Sequence, residues 1–264
     1  MGRFEWLEMP DNNKEIKKEK KSFIDMSKEE FMKRAKEDLF SGNFESSIRY
    51  FSRALGEDPT IEEAWFWQSW ILVQLNELKE AKTWINKALE KFPESIDLIS
   101  LKGLVMVLSG DFDLGRAYLD NALEKKGDHK YTWLYRGYLL LFERPILNFK
   151  HAQMCFSKAQ EKGSKDWFFL CNLALAYIEN NYPDYAFEII NKAKKLKGVS
   201  PYIYYVESRA NLMSSNFNKA LDLINKALIL SPRFEIGRRL HEHIENERGI
   251  LYEIKNLFKR VFRR

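Results

Sequence analysis

The sequence predicts an all-α fold built from consecutive helix–turn–helix units, and three observations support this prediction. The stretch from Glu62 to Phe92 reads as two amphipathic helices with a break at Asn76-Glu77, and Pro93 follows it. Small and large residues recur along the chain at a period of 34 residues, interrupted once. A single unit of this length cannot bury its own apolar face, so adjacent copies must pack against one another to form a core.

The repeat is visible in several columns of residues that share a size. One small residue recurs with gaps of 34, 34, 37, 34 and 34, as Ser47, Ala81, Gly115, Ala152, Ala186 and Ala220. An earlier small column keeps the same rhythm, as Ala35, Ser69, Gly103, Gly137, Ala174 and Ser208. A bulky residue stands four positions before it, as Phe31, Trp65, Ile99, Trp133, Leu170 and Tyr204. Small side chains let two helix backbones approach closely, and a larger side chain there would overpack the contact.

These columns resemble the tetratricopeptide repeat (TPR), a helix–turn–helix unit of about 34 residues. The resemblance covers about four-fifths of the chain and implies a right-handed superhelical solenoid of six repeats with a C-terminal capping helix. It divides the chain into an N-terminal extension (1–26), a repeat region (27–234) and a C-terminal capping and basic amphipathic helix (235–264). The repeats are expected at 28–61, 62–95, 96–129, 130–166, 167–200 and 201–234.

Two departures from the family pattern stand out. The column usually given to leucine is mostly polar here, and reads Arg34, Gln68, Lys102, Arg136, Leu173 and Glu207. Repeat four has three extra residues, which lie between Gly137 and Ala152. Because Pro145 should stop the first helix, we expect a longer turn at 143–151, forming a local bulge and not a break in the array.

Composition excludes several classes of protein. Two cysteines, Cys155 and Cys171, are too few for a disulfide framework, and buried free thiols are the expected state. No apolar run is long enough for a signal peptide or a membrane span, so a cytoplasmic protein is predicted. No phosphate-binding loop, zinc motif or nucleophile elbow occurs. We therefore predict a non-catalytic protein, with no metal and no cofactor, that acts as a scaffold or adaptor.

The resemblance also implies where a partner would bind, because the first helix of each repeat lines the concave groove in this family. The corresponding positions here are mostly aromatic or apolar: Phe66, Trp67, Trp70, Leu104, Tyr131, Leu134, Tyr135, Tyr138, Phe142, Phe168, Tyr202, Tyr205 and Arg209. Such a groove suits an apolar peptide or an amphipathic helix of another protein. Alternatively, the same aromatic residues are buried between repeats and bind nothing. A chaperone for an apolar partner segment is a further alternative.

Both ends of the chain carry possible binding segments. The N-terminal extension holds Phe4, Trp6 and Leu7, which could occupy the groove as an internal ligand. Residues 248–264 carry six basic side chains and one acid, a net charge of +5 that equals the net charge of the whole chain. The basic residues are Arg248, Lys255, Lys259, Arg260, Arg263 and Arg264. This tail is predicted to bind an anionic membrane surface or an acidic partner, or to serve only as a cap. Nucleic acid is disfavoured, because the basic patch is small and the rest of the chain is neutral.

Overall fold

The computed structural model describes the backbone of residues 26–261 and the side chains of residues 26–248. Within that backbone the chain forms thirteen helices and no β-strand. The helices are α1 (Lys28–Phe40), α2 (Phe44–Glu57), α3 (Glu62–Gln74), α4 (Leu78–Lys91), α5 (Ile96–Leu108), α6 (Phe112–Glu124), α7 (Lys130–Glu143), α8 (Pro145–Lys162), α9 (Trp167–Glu179), α10 (Pro183–Lys197), α11 (Pro201–Met213), α12 (Phe217–Leu230) and α13 (Glu235–Val261). The predicted all-α class and the succession of helix pairs are confirmed.

A helix begins at each residue where the sequence places the start of a repeat, namely 28, 62, 96, 130, 167 and 201. The last helix, α13, begins at Glu235, one further period of 34 residues after Pro201. It buries Ile244 completely and Leu240 partly, and Phe234 just before it is also fully buried. The start of α13 therefore packs where a seventh repeat would begin.

The described chain forms two compact units. The first comprises residues 26–38 and Glu45–Glu143, and the second comprises Leu39–Phe44 and residues 144–261. The division after Glu143 falls inside the insertion of repeat four. There the connection between α7 and α8 is only Arg144, and the additional residues lengthen α8 to 18 residues. The expectation of a longer turn is therefore wrong, because Pro145 occupies the first turn of α8, where proline is well tolerated. The expectation that 143–151 is a local bulge and not a break in the array stays a prediction.

The small-residue columns meet inside each helix pair. The Ser47 hydroxyl donates to the Ala35 carbonyl at 2.7 Å in repeat one, and the Ser208 hydroxyl donates to the Ala220 carbonyl at 2.7 Å in repeat six. In repeat three both positions are glycine. A Cβ on Gly115 would lie only 3.1 Å from the Gly103 carbonyl oxygen and 2.7 Å from a methyl group of Val107. The columns thus mark the closest approach of two backbones, as the sequence predicted.

Every repeat except the fourth turns on one residue with positive φ at its fifteenth position. These residues are Gly42, Asn76, Gly110, Asn181 and Ser215. In repeat two the Glu77 amide donates to the Leu72 carbonyl and the Asn76 amide donates to the Val73 carbonyl. This pair of bonds is the Schellman motif, which ends a helix with a left-handed residue and satisfies its last carbonyls. Repeats three, five and six show the same pair of bonds. In repeat four Arg144 has φ −151° instead, so its connection is built differently.

The polar residues in the leucine column contact side chains on a second helix. That helix belongs either to the preceding repeat or to their own repeat. Arg136 forms an ion pair with Asp120, and Glu207 pairs with Lys194 at 3.0 Å. Gln68 accepts a hydrogen bond from Ser52 at 3.3 Å, and the Lys102 ammonium lies 4.7 Å from the centre of the Tyr118 ring. Polar pairing between helices therefore replaces leucine packing at this position.

Candidate functional site

The groove residues predicted in the first unit lie together on α3, α5 and α7, and most of them are buried. Buried side chains are Phe66, Trp70, Leu104, Tyr131, Leu134, Tyr135 and Tyr138. Trp67 is half-buried, and Phe142 is 45% exposed. The predicted positions thus form the floor of this face, and Trp67 and Phe142 are the members that retain substantial accessible surface.

Aromatic rings join α3 to α7. The Phe66 ring lies 5.0 Å from the Tyr131 ring, and the Trp67 ring lies 6.4 Å from it in an edge-on arrangement. Along α3 the Trp67 and Trp70 rings are 5.8 Å apart, and along α7 the Tyr131 and Tyr135 rings are 5.9 Å apart. We call these five residues the aromatic cluster. Such edge-on and offset contacts add about 0.5–1.5 kcal/mol per pair beyond the burial itself.

Charged groups surround the aromatic cluster. The Trp67 indole N–H donates to the Glu63 carboxylate at 3.2 Å, and Lys36 pairs with the same carboxylate at 2.7 Å. The Lys130 ammonium lies 5.3 Å from the centre of the Tyr131 ring. Burial raises the pKa of Asp97 to about 6, although the positive charge of Lys130 opposes the rise. The face therefore combines an apolar floor with charged side chains at its margin.

Two predicted groove residues have a different role from the one expected. Trp70 and Tyr138 were predicted to face the groove, with burial between repeats as the alternative. In the structure Trp70 is 1% exposed and Tyr138 is 8% exposed. Truncating a buried Trp or Phe side chain to alanine costs about 3–5 kcal/mol. This expectation is therefore wrong: both side chains contribute to packing between helices as well as to the floor of the face.

In the second unit the predicted groove residues contact a segment of this chain itself. Phe168 and Tyr202 are fully buried, Tyr205 is nearly so, and Arg209 is half-buried. Phe168 and Tyr202 contact the rings of Phe40 and Phe44, which flank the turn at the end of α1. Arg209 pairs with Glu179 at 3.2 Å and lies 5.9 Å from the centre of the Tyr205 ring.

Sequence reasoning missed the contribution of Phe40 and Phe44. One signal was present: Phe40 stands where the other regular repeats carry Gln74, Leu108, Glu179 and Met213. Repeat four also has an aromatic residue at this position, Phe142, so two of the six repeats place an aromatic ring at the end of the first helix, where it can contact residues outside its own helix pair.

Several predicted residues fall partly or wholly outside the described part of the chain. Arg248 is exposed on α13. Lys255, Lys259 and Arg260 lie within the helix, but their side chains are not among those described. Arg263 and Arg264, and also Phe4, Trp6 and Leu7, lie outside the described residues. Their predicted roles in binding stay predictions.

The described residues also bear on membranes, metals and thiols. Among them no helix is both long enough and apolar enough to cross a membrane. No group of three or more His, Cys, Asp or Glu side chains within the described chain could hold a metal ion. Cys155 and Cys171 are both buried thiols, as predicted. Burial raises the pKa of the Cys171 thiol far above its usual value, which makes it a poor nucleophile.

Comparison with known proteins agrees with the repeat pattern. Residues 32–96, about a quarter of the chain, match the model of a tetratricopeptide repeat family. A search of curated proteins found no match.

Solved structures, two of them described as TPR proteins, show weak overall similarity. The APC/C hetero-tetramer Cut9–Hcn1 matches with a TM-score of 0.49 and 16% identity over 85% of this chain, which spans only 44% of that chain. A thermophilic TPR protein from Thermus thermophilus, TTC0263, matches with a TM-score of 0.45 and 16% identity, over 83% of this chain and 98% of the other. YrrB, a TPR protein with an unusual peptide-binding site, matches with a TM-score of 0.41 and 18% identity, over 73% and 97% of the two chains.

The identification rests on the chain's own residues and on the family match. The helix pairs within and after residues 32–96 share one set of small-residue positions and a period of 34 residues that is interrupted once, in repeat four. In every repeat except the fourth, the fifteenth residue has a positive φ angle. Residues 32–96 match the tetratricopeptide repeat, and the thirteen helices of the described backbone fit an array of such repeats.

Proposed function

We propose that this chain is a non-catalytic interaction protein that holds an apolar segment of another protein against the α3–α5–α7 face of its first unit. The aromatic cluster is the observation that carries the proposal. It provides a continuous apolar floor from Phe66 to Tyr135, assembled from two helices that are not adjacent in sequence. TPR proteins act in protein–protein interaction, and an apolar face of this kind suits a helix or an extended peptide.

Trp67 and Phe142 are the residues that a partner would contact first. Both remain accessible, whereas Trp70 and Tyr138 lie beneath them in the packing. Phe142 extends the line of Tyr131, Tyr135 and Tyr138 along α7, and its ring stacks on Tyr138 at 6.1 Å. Accessible aromatic anchors beside a desolvated floor typically carry about 2 kcal/mol or more each in protein interfaces.

The first candidate for an occupant is this chain's own N-terminal segment, with Phe4, Trp6 and Leu7. About 20 residues separate Leu7 from Lys28, the start of α1 in the first unit. A random-coil segment of that length would span about 25 Å on average, which is long enough to reach the early repeats. Occupation by this segment would make it an internal inhibitor that a partner protein displaces.

Direct titration tests the proposed face. A labelled peptide of residues 1–12 is added to a chain that lacks those residues, and binding is followed by fluorescence anisotropy. Trp67→Ala and Phe142→Ala should each weaken binding about tenfold or more, which corresponds to about 1.4 kcal/mol. Ile229→Ala is the matched control, because Ile229 is an apolar side chain 78% exposed on α12.

The titration and a partner comparison together decide the proposal. If the peptide does not bind, the N-terminal segment is not the occupant. Affinity capture is then compared among the wild type, Trp67→Ala, Phe142→Ala and the Ile229→Ala control. Proteins that the wild type and the Ile229→Ala control capture, and that Trp67→Ala and Phe142→Ala do not, would be ligands of the face. A capture profile that is identical for all four chains would refute the proposed function.

The C-terminal helix supports a second proposal. We infer that residues 248–264 attach the protein to an anionic surface, and the unbroken course of α13 to Val261 supports a helical form for most of this segment. Each basic residue near an anionic leaflet contributes about 1 kcal/mol at physiological salt. Co-sedimentation with phosphatidylserine vesicles should occur at low salt, weaken at high salt and disappear when 248–264 is deleted. Absence of binding at low salt would refute the membrane version of this proposal.

The proposed function includes a cytoplasmic location. Both cysteines are buried thiols, and this supports a reducing compartment, since oxidising compartments favour disulfides. Expression of a tagged full-length chain followed by fractionation tests this part of the proposal, and recovery in a secreted or lumenal fraction would contradict it.

A further inference from the structure

A six-residue segment of the chain, Leu39–Phe44, packs with the second unit in the manner of a bound peptide. We call this segment the Phe-Gly turn, because Phe40 and Phe44 flank Gly42. Although it connects α1 to α2, the Phe-Gly turn belongs to the second unit together with residues 144–261. The residues that it contacts are therefore far from α1 and α2 in the sequence.

Four aromatic residues of the second unit receive the Phe-Gly turn, and we call them the receiving surface: Trp167, Phe168, Tyr202 and Phe234. The Phe40 ring lies 5.5 Å from the Trp167 ring and 5.1 Å from the Phe168 ring. The Phe44 ring lies 6.4 Å from the Tyr202 ring. The rings of the receiving surface also contact one another, with Phe168 and Tyr202 at 4.7 Å.

Gly42 lies directly against Phe234. A Cβ placed on Gly42 would stand 2.1 Å from a ring carbon of Phe234, so the backbone of the turn touches the ring. Gly42 also has φ +76°, a left-handed conformation that glycine adopts without strain. Next to it, the Ser231 hydroxyl lies 3.0 Å from the side-chain oxygen of Asn43 and donates a hydrogen bond to it. The close fit of Gly42 against Phe234, the ring contacts of Phe40 and Phe44, and the hydrogen bond to Asn43 therefore all favour the residues present in this turn.

We propose that the receiving surface is a second peptide-binding site, and that the Phe-Gly turn is an internal ligand which a partner protein displaces. The partner segment would carry one phenylalanine on each side of a glycine turn, because the receiving surface already accepts that arrangement. This site is separate from the α3–α5–α7 face and does not depend on the function proposed for it. The contacts come from one contiguous segment of six residues, in which Leu39, Gly42 and Phe44 are buried and Phe40 is half-buried. Binding of this kind is exchangeable with an external peptide, whereas a core contact spread over many elements is not.

An internal ligand competes with an external one through its effective concentration. A short tether keeps such a ligand at millimolar effective concentration, so an external peptide binds the wild-type chain weakly. Weakening the internal ligand should expose the site. Phe40 is the residue to change, because it is only half-buried and lies at the end of α1.

The experiment uses the full chain and a labelled peptide of residues 37–46, which contains the Phe-Gly turn. The Phe40→Ala chain should bind the peptide at least about tenfold more tightly than the wild-type chain, because one aromatic anchor of the competitor is missing. Adding Trp167→Ala to the Phe40→Ala chain should abolish the gain. A control peptide with Gly42→Val should not bind either chain, since the added side chain would collide with Phe234.

Each outcome decides the proposal. If the folded Phe40→Ala chain binds the peptide no better than the wild type, the contact is ordinary core packing and the proposal is overturned. If Phe40→Ala does not fold, the same titration on Asn43→Ala decides, because that change removes the hydrogen bond from Ser231 and keeps both phenylalanine rings. If the wild-type chain instead dimerises with concentration and the peptide dissolves the dimer, a second copy is the occupant and a separate partner is excluded.

Discussion

Gly42 and Gly110 occupy the same turn position in repeats one and three, and replacing each with asparagine separates two reasons for a glycine. Both residues have positive φ, at 76° and 85°. Asparagine adopts this conformation at the equivalent position in two other repeats, where Asn76 has φ 62° and Asn181 has φ 67°. A Cβ on Gly110 meets no atom within 4 Å, whereas one on Gly42 would lie 2.1–2.7 Å from three ring carbons of Phe234. The two substitutions therefore impose the same backbone cost and differ in the collision with Phe234.

The collision sets the expected magnitude. Ordinary contact needs about 3.4–4 Å, so the ring must move by more than 1 Å out of a fully buried position. Overpacking typically costs about 1–3 kcal/mol, and complete loss of a buried Phe side chain costs about 3–5 kcal/mol. We expect Gly42→Asn to lower the free energy of unfolding by about 2–4 kcal/mol, and Gly110→Asn to change it by less than about 1 kcal/mol.

Urea titration followed by circular dichroism measures both changes. Phe234→Ala provides a further check, because it removes the ring that Gly42→Asn would strike. The double variant Gly42→Asn/Phe234→Ala should then be less destabilised than the sum of the single variants by about 1 kcal/mol or more. Equal destabilisation by the two asparagine substitutions would refute the contact between the Phe-Gly turn and Phe234.

Three further predictions test the packing and the electrostatics. Gly115→Ala should lower stability by about 1–2 kcal/mol, because its Cβ would lie 2.7 Å from Val107, whereas Gly56→Ala, in open space on α2, should raise stability by up to about 1 kcal/mol. Equal shifts in thermal midpoint would contradict this. Trp70→Ala should cost about 3–5 kcal/mol in a urea titration, and a loss below about 1 kcal/mol would show that the side chain is not part of the core. Burial raises the pKa of Asp97 to about 6 from 3.8, so the folded state binds the proton more tightly than the unfolded state. Stability should therefore fall as pH rises from about 4 to about 6, by up to about 3 kcal/mol, and Asp97→Asn should remove this component. Identical pH profiles for the two chains would refute it.

Much of the fold was predictable, because the repeat makes it local. Helix starts and small-residue contacts depend on residues within one helix pair, so a fixed period in the sequence reports them directly. Ser47 and Ser208, for example, stand in the two small-residue columns of their repeats and take part in the same kind of bond between the two helices. The turn position was partly visible in Gly110 and Asn76, which tolerate positive φ, but Ser215 gave no such signal.

The insertion in repeat four shows where local signals are ambiguous. Proline ends a helix that precedes it and is also favoured in the first turn of a helix that follows. At Pro145 the second effect prevails, so the additional residues extend α8 and the connection from α7 shrinks to Arg144. Sequence spacing reports the number of inserted residues, but it does not report whether they are helical.

Contacts between distant repeats were not predictable from the sequence. Phe40 and Trp167 are separated by more than 120 residues, and no periodicity links them. The burial of the groove residues is a similar case. The repeat position of Tyr131 predicts which face of α7 it occupies, but the 5.0 Å separation from Phe66 depends on how closely α3 and α7 approach across α5.

The repeat pattern predicts which face of a helix a residue occupies, but not how deeply its side chain is buried. The degree of burial decides which residues of the face can bind a partner. Trp67 and Trp70 lie on the same face of α3 with their rings 5.8 Å apart, so the repeat pattern assigns them the same role. Trp70 is 1% exposed and its loss should be felt in folding, whereas Trp67 is half-buried and can contact a partner. A variant of Trp70 that abolished binding would therefore not distinguish a lost contact from a lost fold. Binding at this face should be assigned from Trp67 and Phe142, whose accessible surface a partner can cover without displacing the core.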